Sequence, residues 1–110
     1  MEKDKMKNKV ITDRLSMILT KGELDRISIG EIKGQTRIRI DLHEMRCAEA
    51  KRTINNIIAI NREPCVLDLI HGYNHGTALK EMIQTDLDSY RIVSINSNPY
   101  NPGETFLNVA

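Results

Sequence analysis

Two strand-like segments separated by one helix-length stretch are the feature that most constrains this chain. Residues 36–42, TRIRIDL, alternate apolar and polar side chains, which predicts a strand with one buried face. Residues 65–70, CVLDLI, are almost continuously apolar, as expected of a strand covered on both faces. Between them, a helix from about 47 to 60 is predicted by apolar residues at helical spacing, namely Cys47, Ala50, Ile54, Ile57 and Ile58. Short strand–helix–strand connections predict two parallel strands with a right-handed crossover.

The rest of the chain continues this alternation. A second helix is predicted at about 77–86, a third strand at 91–95 (RIVSI) and a last strand at 105–109 (TFLNV). The order is β-α-β-α-β-β, so we expect an α/β fold with two layers and a four-stranded mixed sheet. A chain of 110 residues of which 40% are hydrophobic is long enough to bury the core of one domain.

Residues 1–34 are predicted to form an N-terminal extension to a domain of residues 35–110. Four lysines among the first nine residues predict a disordered start. An amphipathic helix at about 10–20, ending near Gly22, is predicted by apolar residues at steps of four and three, which are Val10, Ile11, Leu15, Ile18 and Leu19. The apolar stripe requires a partner, either the core domain or a second subunit. The segment at 27–34 is expected to be a loop or a short edge strand.

Composition narrows the function classes only modestly. Sixteen basic and fifteen acidic residues give a net charge of +1, which neither indicates nor excludes a local nucleic-acid-binding patch. Cys47 and Cys65 form no CxxC pair, so zinc-site spacing is absent and free thiols in a reducing cell are expected. The charged start and the lack of a long apolar run disfavour a signal peptide and a membrane span. We therefore expect a cytoplasmic protein without a membrane partner.

Polar residues cluster where the first two predicted strands end. Asp41, His43 and Glu44 follow the first strand, and HGYNHGT at 71–77 follows the second, so these two loops hold all three histidines. Adjacent parallel strands lie about 5 Å apart and ligands bind beyond their carboxyl ends, so His43 and His71 should be near neighbours. A third loop, NPYNPG at 98–103, connects the last two predicted strands. The sequence does not decide whether it lies at this edge of the sheet or at the opposite one.

The second loop also has the composition of an anion site. Gly72 and Gly76 bracket a turn that opens a helix, and such a turn exposes backbone N–H groups. Asn74 lies between the glycines and tolerates positive φ. A phosphate would be held by the backbone of residues 72–77, with Lys80 one turn along the helix.

These loops carry a family resemblance. IDLH at 40–43 resembles the LDLH motif of Smr (small MutS-related) domains, HGYNHG at 71–76 resembles their [T/H]GxG loop, and NPG at 101–103 resembles the glycine-bearing element before the last strand. The resemblance covers about residues 35–110. It implies a sandwich similar to the carboxyl-terminal domain of a translation initiation factor, DNA or RNA as partner, and, in several members, nicking of DNA or cleavage of RNA.

Residue roles follow from the resemblance for the residues that match its motifs, Asp41 and His43 in the first and His71 and Gly72 in the second. Two positions depart from the pattern: Glu44 replaces the usual glycine after LDLH, and Asn74 replaces the second glycine of GxG. Both departures count against nuclease activity. At Glu44 the reason is that a carboxylate would repel an approaching phosphate.

The functional hypothesis is a nucleic-acid-binding domain that acts as an endonuclease on RNA or DNA. One of His43 and His71 would be the general base and the other the acid, with Asp41 orienting an imidazole. The predicted phosphate- and base-binding residues are Gly72, Tyr73, Asn74, His75, Gly76, Thr77, Lys80 and Tyr100. Tyr73 and Tyr100 would stack on unpaired bases or serve as ordinary turn aromatics.

Less specific alternatives stay open for each residue. Asp41 and His43 can serve only to cap local backbone groups, and His71 can be a core histidine with satisfied hydrogen bonds. A divalent metal on Asp41, His43, His71 and His75 is chemically allowed but is ranked below a metal-free site, and no cofactor is required. At the level of the whole chain, the alternatives are a non-catalytic RNA- or ribosome-binding module and a protein–protein adaptor that docks through the 10–20 helix.

Overall fold

The fold is a five-stranded mixed sheet with helices packed against it. The computed structural model describes residues 2–72 and 77–110. Its elements are α1 (Glu2–Ser16), α2 (Lys21–Leu24), β1 (Ile27–Ile32), β2 (Gln35–Asp41), α3 (Cys47–Ile60), β3 (Cys65–Ile70), α4 (Thr77–Thr85), β4 (Ile92–Asn98) and β5 (Asn101–Val109). The strand order is β1-β2-β3-β5-β4. Every helix within these described ranges is too short or too polar to cross a lipid bilayer.

The predicted parallel pair is confirmed and forms the centre of the sheet. β2 and β3 are parallel neighbours, with Ile38 opposite Leu67 and Asp41 opposite Ile70. The chain then crosses through α4, reaches the far edge as β4, and returns as β5 between β4 and β3, antiparallel to both. The β-α-β-α-β-β order deduced from hydrophobic periodicity is therefore present from β2 to β5.

One hydrophobic core lies between the helices and one face of the sheet. Alternate residues of the central strands, such as Ile40 and Leu69, are fully buried there. The predicted stripe of α3 packs against them through four buried residues, Ala50, Ile54, Ile57 and Ile58. α4 adds Leu79, Met82 and Ile83. The register places mainly polar and charged side chains on the opposite face of the sheet.

The predicted count of four strands is wrong by one, because residues 27–32 form β1. This strand pairs antiparallel with β2, so the edge-strand alternative holds for this segment. Lys33 and Gly34 connect the two strands with φ values of 49° and 80°. Positive φ at both central residues is the geometry of a two-residue hairpin turn. A Lys-Gly pair is a weaker turn signature than Asn-Gly, and the nearby Gly30 resembled a chain break, so the hairpin was missed.

The first helix also differs from the prediction. α1 begins at Glu2, where a disordered start was expected, and it ends at Ser16 instead of near Gly22. Lysine, glutamate and methionine are good helix formers, and no glycine or proline interrupts the segment before Gly22. The helix ends early because Thr20 starts a new one. Its hydroxyl accepts from the Glu23 N–H while its own N–H donates to the Glu23 carboxylate, forming a capping box.

This early end changes which apolar residues are buried. Leu15 and Leu19 are buried as predicted and join the main core, together with Ile11. The prediction for Ile18 is wrong, because its side chain lies in the turn after α1 and is 43% exposed. Val10 and Met17 are also exposed. The adaptor hypothesis therefore stays a prediction that would have to rely on these exposed residues.

Replacing Leu15 with alanine tests whether α1 is an integral part of the domain. We expect Leu15→Ala to lower the free energy of unfolding by about 2–5 kcal/mol, because it empties a fully buried site. Because the Ile18 side chain is exposed, Ile18→Ala should change the free energy of unfolding by less than about 0.5 kcal/mol. Urea denaturation of both variants measures the difference, and equal small effects would show that α1 does not contribute to the fold.

Candidate functional site

Three loops converge at one edge of the sheet. Asp41 and Ile70 end neighbouring parallel strands side by side, so the loops that follow them emerge together. β5 runs in the opposite direction and pairs Glu104 with Ile70, so its beginning lies at this same edge. The position of the NPYNPG loop, which the sequence left open, is thereby decided: it joins the other two loops.

Backbone contacts between two glycines lock the second loop to the third. The N–H groups of His71 and Gly72 both donate to the Gly103 carbonyl, at 2.9 and 3.1 Å. A Cβ added at Gly103 would lie 3.1 Å from the Cα of Gly72, which is closer than side chains normally approach backbone. Gly72 itself has a φ of 76°. The Gly72 N–H already donates to the Gly103 carbonyl, so this N–H is unavailable to a phosphate. The prediction that the Gly72 N–H helps to hold a phosphate is therefore wrong.

Asp41 and His43 form a hydrogen-bonded pair at the edge. The Asp41 carboxylate accepts a hydrogen bond from the His43 backbone N–H at 3.1 Å, and the same Oδ1 atom contacts Nδ1 of the imidazole. The side chains are 40% and 53% exposed, respectively. Within the described residues Nε2 of His43 has no protein partner. A carboxylate on one ring nitrogen with the other nitrogen exposed is an arrangement that can accept a proton.

Arg26, which no sequence argument singled out, holds this pair in place. Its Nη1 donates to the backbone carbonyls of Asp41 and His43, at 3.1 and 2.8 Å. The Arg26 carbonyl in turn accepts from the Asp41 N–H at 2.9 Å. Arg26 immediately precedes β1, in the segment that was assigned to the extension. Only the pairing of β1 with β2 brings it to the motif, so local sequence contains no sign of its role.

His71 lies at the same edge but faces the core. It is 2% exposed. Its Nδ1 donates to the Gly72 carbonyl at 2.7 Å, and its Nε2 accepts from the Thr105 hydroxyl at 2.9 Å. Burial lowers the pKa of His71, and the charge of Lys80 lowers it further. Both ring nitrogens are engaged, so the geometry favours the structural alternative for His71 over the predicted acid–base pair with His43.

Glu44 occupies a turn position whose backbone conformation favours glycine. Its φ is 68°, in the left-handed region that side chains other than glycine and asparagine enter at a cost. The strand end, the Asp41–His43 pair and the Met45 N–H that donates to the Leu42 carbonyl impose a tight turn here. The glutamate side chain is exposed. This departure therefore adds both backbone strain and a negative charge beside His43.

The other predicted site residues are placed only in part. Thr77 is exposed at the start of α4, Lys80 is half-buried one turn along, and Tyr100 is 95% exposed in the turn between β4 and β5. Tyr73, Asn74, His75 and Gly76 lie outside the described residues. Among residues 2–72 and 77–110, no group of three or more His, Cys, Asp or Glu side chains could hold a metal ion. The proposed metal set included His75, so it stays untested.

Comparisons with known proteins agree with the fold. The chain matches no family model and no curated protein. Among solved structures it is similar to the Smr domain of Thermus thermophilus MutS2, with a TM-score of 0.56 and 25% sequence identity. The match covers 96% of that domain and 66% of this chain. The likeness predicted from three short motifs is thus confirmed by the arrangement of the backbone.

Glu44 gives a stability test of the strained turn. We expect Glu44→Gly to raise the free energy of unfolding by about 0.5–1 kcal/mol, because relief of the left-handed φ exceeds the flexibility that glycine adds to the unfolded chain. Glu44→Gln removes the charge but keeps the strain, so it should have little effect. Urea denaturation compares the two, and an equal response to both would show that the backbone conformation is not the cause.

The buried imidazole of His71 predicts a pH dependence of stability. A folded-state pKa below the ordinary value of 6.5 means that the unfolded chain binds the proton more tightly. The wild type should therefore lose stability relative to His71→Gln as the pH falls below about 6.5. Asp68, whose raised pKa acts in the opposite direction, is present in both proteins and cancels from the difference. The free energies of unfolding of the two proteins are compared from about pH 7.5 to about pH 5, the interval in which histidine changes charge. If the difference between them stays constant over this interval, a neutral buried His71 is contradicted.

Proposed function

The chain folds as an Smr-type domain, and on this premise we propose that it binds nucleic acid at the three-loop edge and cleaves phosphodiester bonds there. The observation that carries the proposal is the Asp41–His43 pair, in which a carboxylate orients a half-exposed imidazole whose Nε2 has no partner among the described residues. The edge lies beyond the carboxyl ends of parallel strands, the usual place for a ligand in such sheets.

In this proposal His43 is the general base. Its Nε2 takes the proton of the attacking hydroxyl, which is either a ribose 2′-OH or a water molecule. A new P–O bond then forms, the bond to the leaving oxygen breaks, and that oxygen takes a proton from solvent. The Asp41 carboxylate keeps the Nδ1 proton in place and stabilises the imidazolium that forms. Arg26 acts as a positioning residue, because it fixes the backbone of both members of the pair.

The start of α4 supplies the phosphate contacts in the proposal. N–H groups in the first turn of a helix have no partner within the helix, and the helix dipole favours an anion there. Thr77 and Lys80 lie in this turn, and Lys80 adds a positive charge. His71 is assigned a structural role, since it ties the Gly72 carbonyl to the Thr105 hydroxyl beneath the loop.

A second candidate is a non-catalytic module that binds RNA or DNA through the same loops. The observation that favours it is Glu44, whose exposed carboxylate follows His43 directly and repels a phosphate that approaches Nε2. A bound strand can tolerate this charge at a distance, whereas an in-line attack at phosphorus requires close approach.

Cleavage and binding of labelled single- and double-stranded RNA and DNA, with and without a chelator, separate the two candidates. We expect His43→Ala to lower the cleavage rate by about 100-fold or more, the usual contribution of a positioned base, while the dissociation constant changes little. Asp41→Asn should lower the rate in the same way. His71→Gln, which keeps hydrogen-bonding atoms on the side chain, serves as the matched control and should retain cleavage.

Variants at Glu44 decide between the enzyme and the module if the wild type cuts weakly. Both Glu44→Gly and Glu44→Gln should bind more tightly than the wild type, because each removes the negative charge. If all three proteins bind but none cuts any substrate, the nuclease is rejected and the binding module stands. If His71→Gln abolishes cleavage with binding and stability intact, the assignment of His71 to a structural role is wrong.

A further inference from the structure

The sheet face opposite the helices carries a second polar surface that the proposed reaction does not use. Two neighbouring rows of side chains cross β2, β3, β5 and β4 on this face. One row is Arg39, Asp68, Phe106 and Asn96, and the next is Arg37, Val66, Asn108 and Ser94. We call this surface the open face. Asp41 lies on the same face of β2, two residues beyond Arg39, so the open face leads directly to the Asp41–His43 pair.

The acidic residues of the open face are shielded by an arginine. Arg39 donates through Nε to the fully buried Asp68 at 2.9 Å, and its Nη2 lies 3.9 Å from the buried Glu104. Burial, together with the neighbouring Glu104 carboxylate, raises the pKa of Asp68 to about 6. The Arg39 side chain is 44% exposed, whereas that of Asp68 is 1% exposed. Solvent at this point therefore meets the cation of the cluster.

A shallow groove of about 260 Å³ lies beside this cluster. Its lining combines the aromatic ring of Phe106 and the side chain of Val66 with three amides, Gln35, Asn96 and Asn108, and with Lys33 at one end. The hydroxyl of Ser94 accepts from the amides of Asn96 and Asn108, at 3.1 and 2.7 Å. These bonds hold two amides in fixed orientations next to an aromatic face.

We propose that this groove binds an unpaired base of a single-stranded nucleic acid whose backbone follows β2 toward the Asp41–His43 pair. The proposal rests on the nucleic-acid binding proposed above and names the form of the ligand. An aromatic ring stacks on a base, and amides pair with the donors and acceptors on a base edge. A duplex keeps its bases stacked inside, so the groove selects single strands.

Charge and spacing support this ligand. Lys33 and Arg37 form no ion pair within the described part of the chain, and the proposal assigns their charges to phosphates although the Nε atom of Arg37 is buried. The Arg37 guanidinium lies across Gly30, with Nη2 only 3.1 Å from where a Cβ would stand. Arg37, Arg39 and Asp41 follow each other on one side of β2 at steps of about 7 Å. A strand bound along them would pass from the groove to His43 over roughly 14 Å.

Binding of labelled single-stranded RNA and DNA oligonucleotides, measured by fluorescence anisotropy, tests the groove. Phe106→Leu keeps an apolar side chain but removes the ring, and should weaken binding by about 5- to 100-fold if one base stacks there. Arg37→Gln should make the binding constant less sensitive to salt. The magnitude of the slope of log K for binding against log salt concentration should fall by about 0.7, the value for one phosphate contact on a single strand. Tyr90→Leu removes a 95% exposed aromatic residue outside the groove and should leave binding unchanged.

A second measurement guards against misfolding of the Phe106 variant. Amide NMR spectra of the wild type, titrated with the same oligonucleotides, should show shifts at Lys33, Arg37, Phe106 and Asn108. If the wild type binds but these amides do not move and both variants bind normally, the groove is rejected while the proposed function stands. If the wild type binds no oligonucleotide, the proposed function fails with it. Concentration-dependent shifts at these residues without oligonucleotide would instead assign the open face to a second copy of the chain.

Discussion

The parallel pairing of β2 with β3 is the constraint on which the rest of the structure depends. It places the ends of both strands side by side, so two polar loops that are distant in sequence emerge from one edge. β5 then enters antiparallel to β3 and brings its first residues to the same edge. Had β2 and β3 paired in the antiparallel sense, the IDLH and HGYNHG motifs would lie at opposite ends of the sheet.

Backbone and side-chain hydrogen bonds together hold the edge in place. The Gly103 carbonyl accepts two N–H groups from the second loop, and a Cβ at Gly103 would lie only 3.1 Å from the Cα of Gly72, so it would force the backbone to shift. Arg26 adds two further bonds to the carbonyls of the first loop. Glu44 destabilises the edge, because its left-handed backbone conformation costs roughly 1–2 kcal/mol. The surrounding bonds keep the turn in that conformation even without the glycine that would adopt it freely.

Two histidines at this edge have opposite environments, and this difference shapes the proposed mechanism. The His43 side chain is half exposed and contacts a carboxylate through Nδ1, while Nε2 has no partner within residues 2–72 and 77–110. The His71 ring is turned inward, with a carbonyl on one nitrogen and a hydroxyl on the other. The first arrangement suits proton transfer, and the second suits holding a loop in place. The open face of the sheet begins at the same edge, since Asp41 and Arg39 lie on one side of β2.

The sequence by itself determined the central elements and the family likeness, because these depend on local patterns. The alternation in TRIRIDL, the apolar run in CVLDLI and the stripe of α3 each report the burial of one element, and short connections force parallel pairing. The motifs at 40–43, 71–76 and 101–103 likewise need only their own residues to be recognised.

The tertiary structure alone decided what depends on contacts between distant residues. It showed that β1 completes the sheet, that Arg26 reaches the Asp41–His43 pair, and that His71 points into the core. It also buried Leu19 while leaving Ile18 in solvent, although both fit the same helical spacing. A histidine or an arginine has no local pattern that reveals its partners, because the free energy of placing it depends on groups that only folding brings near.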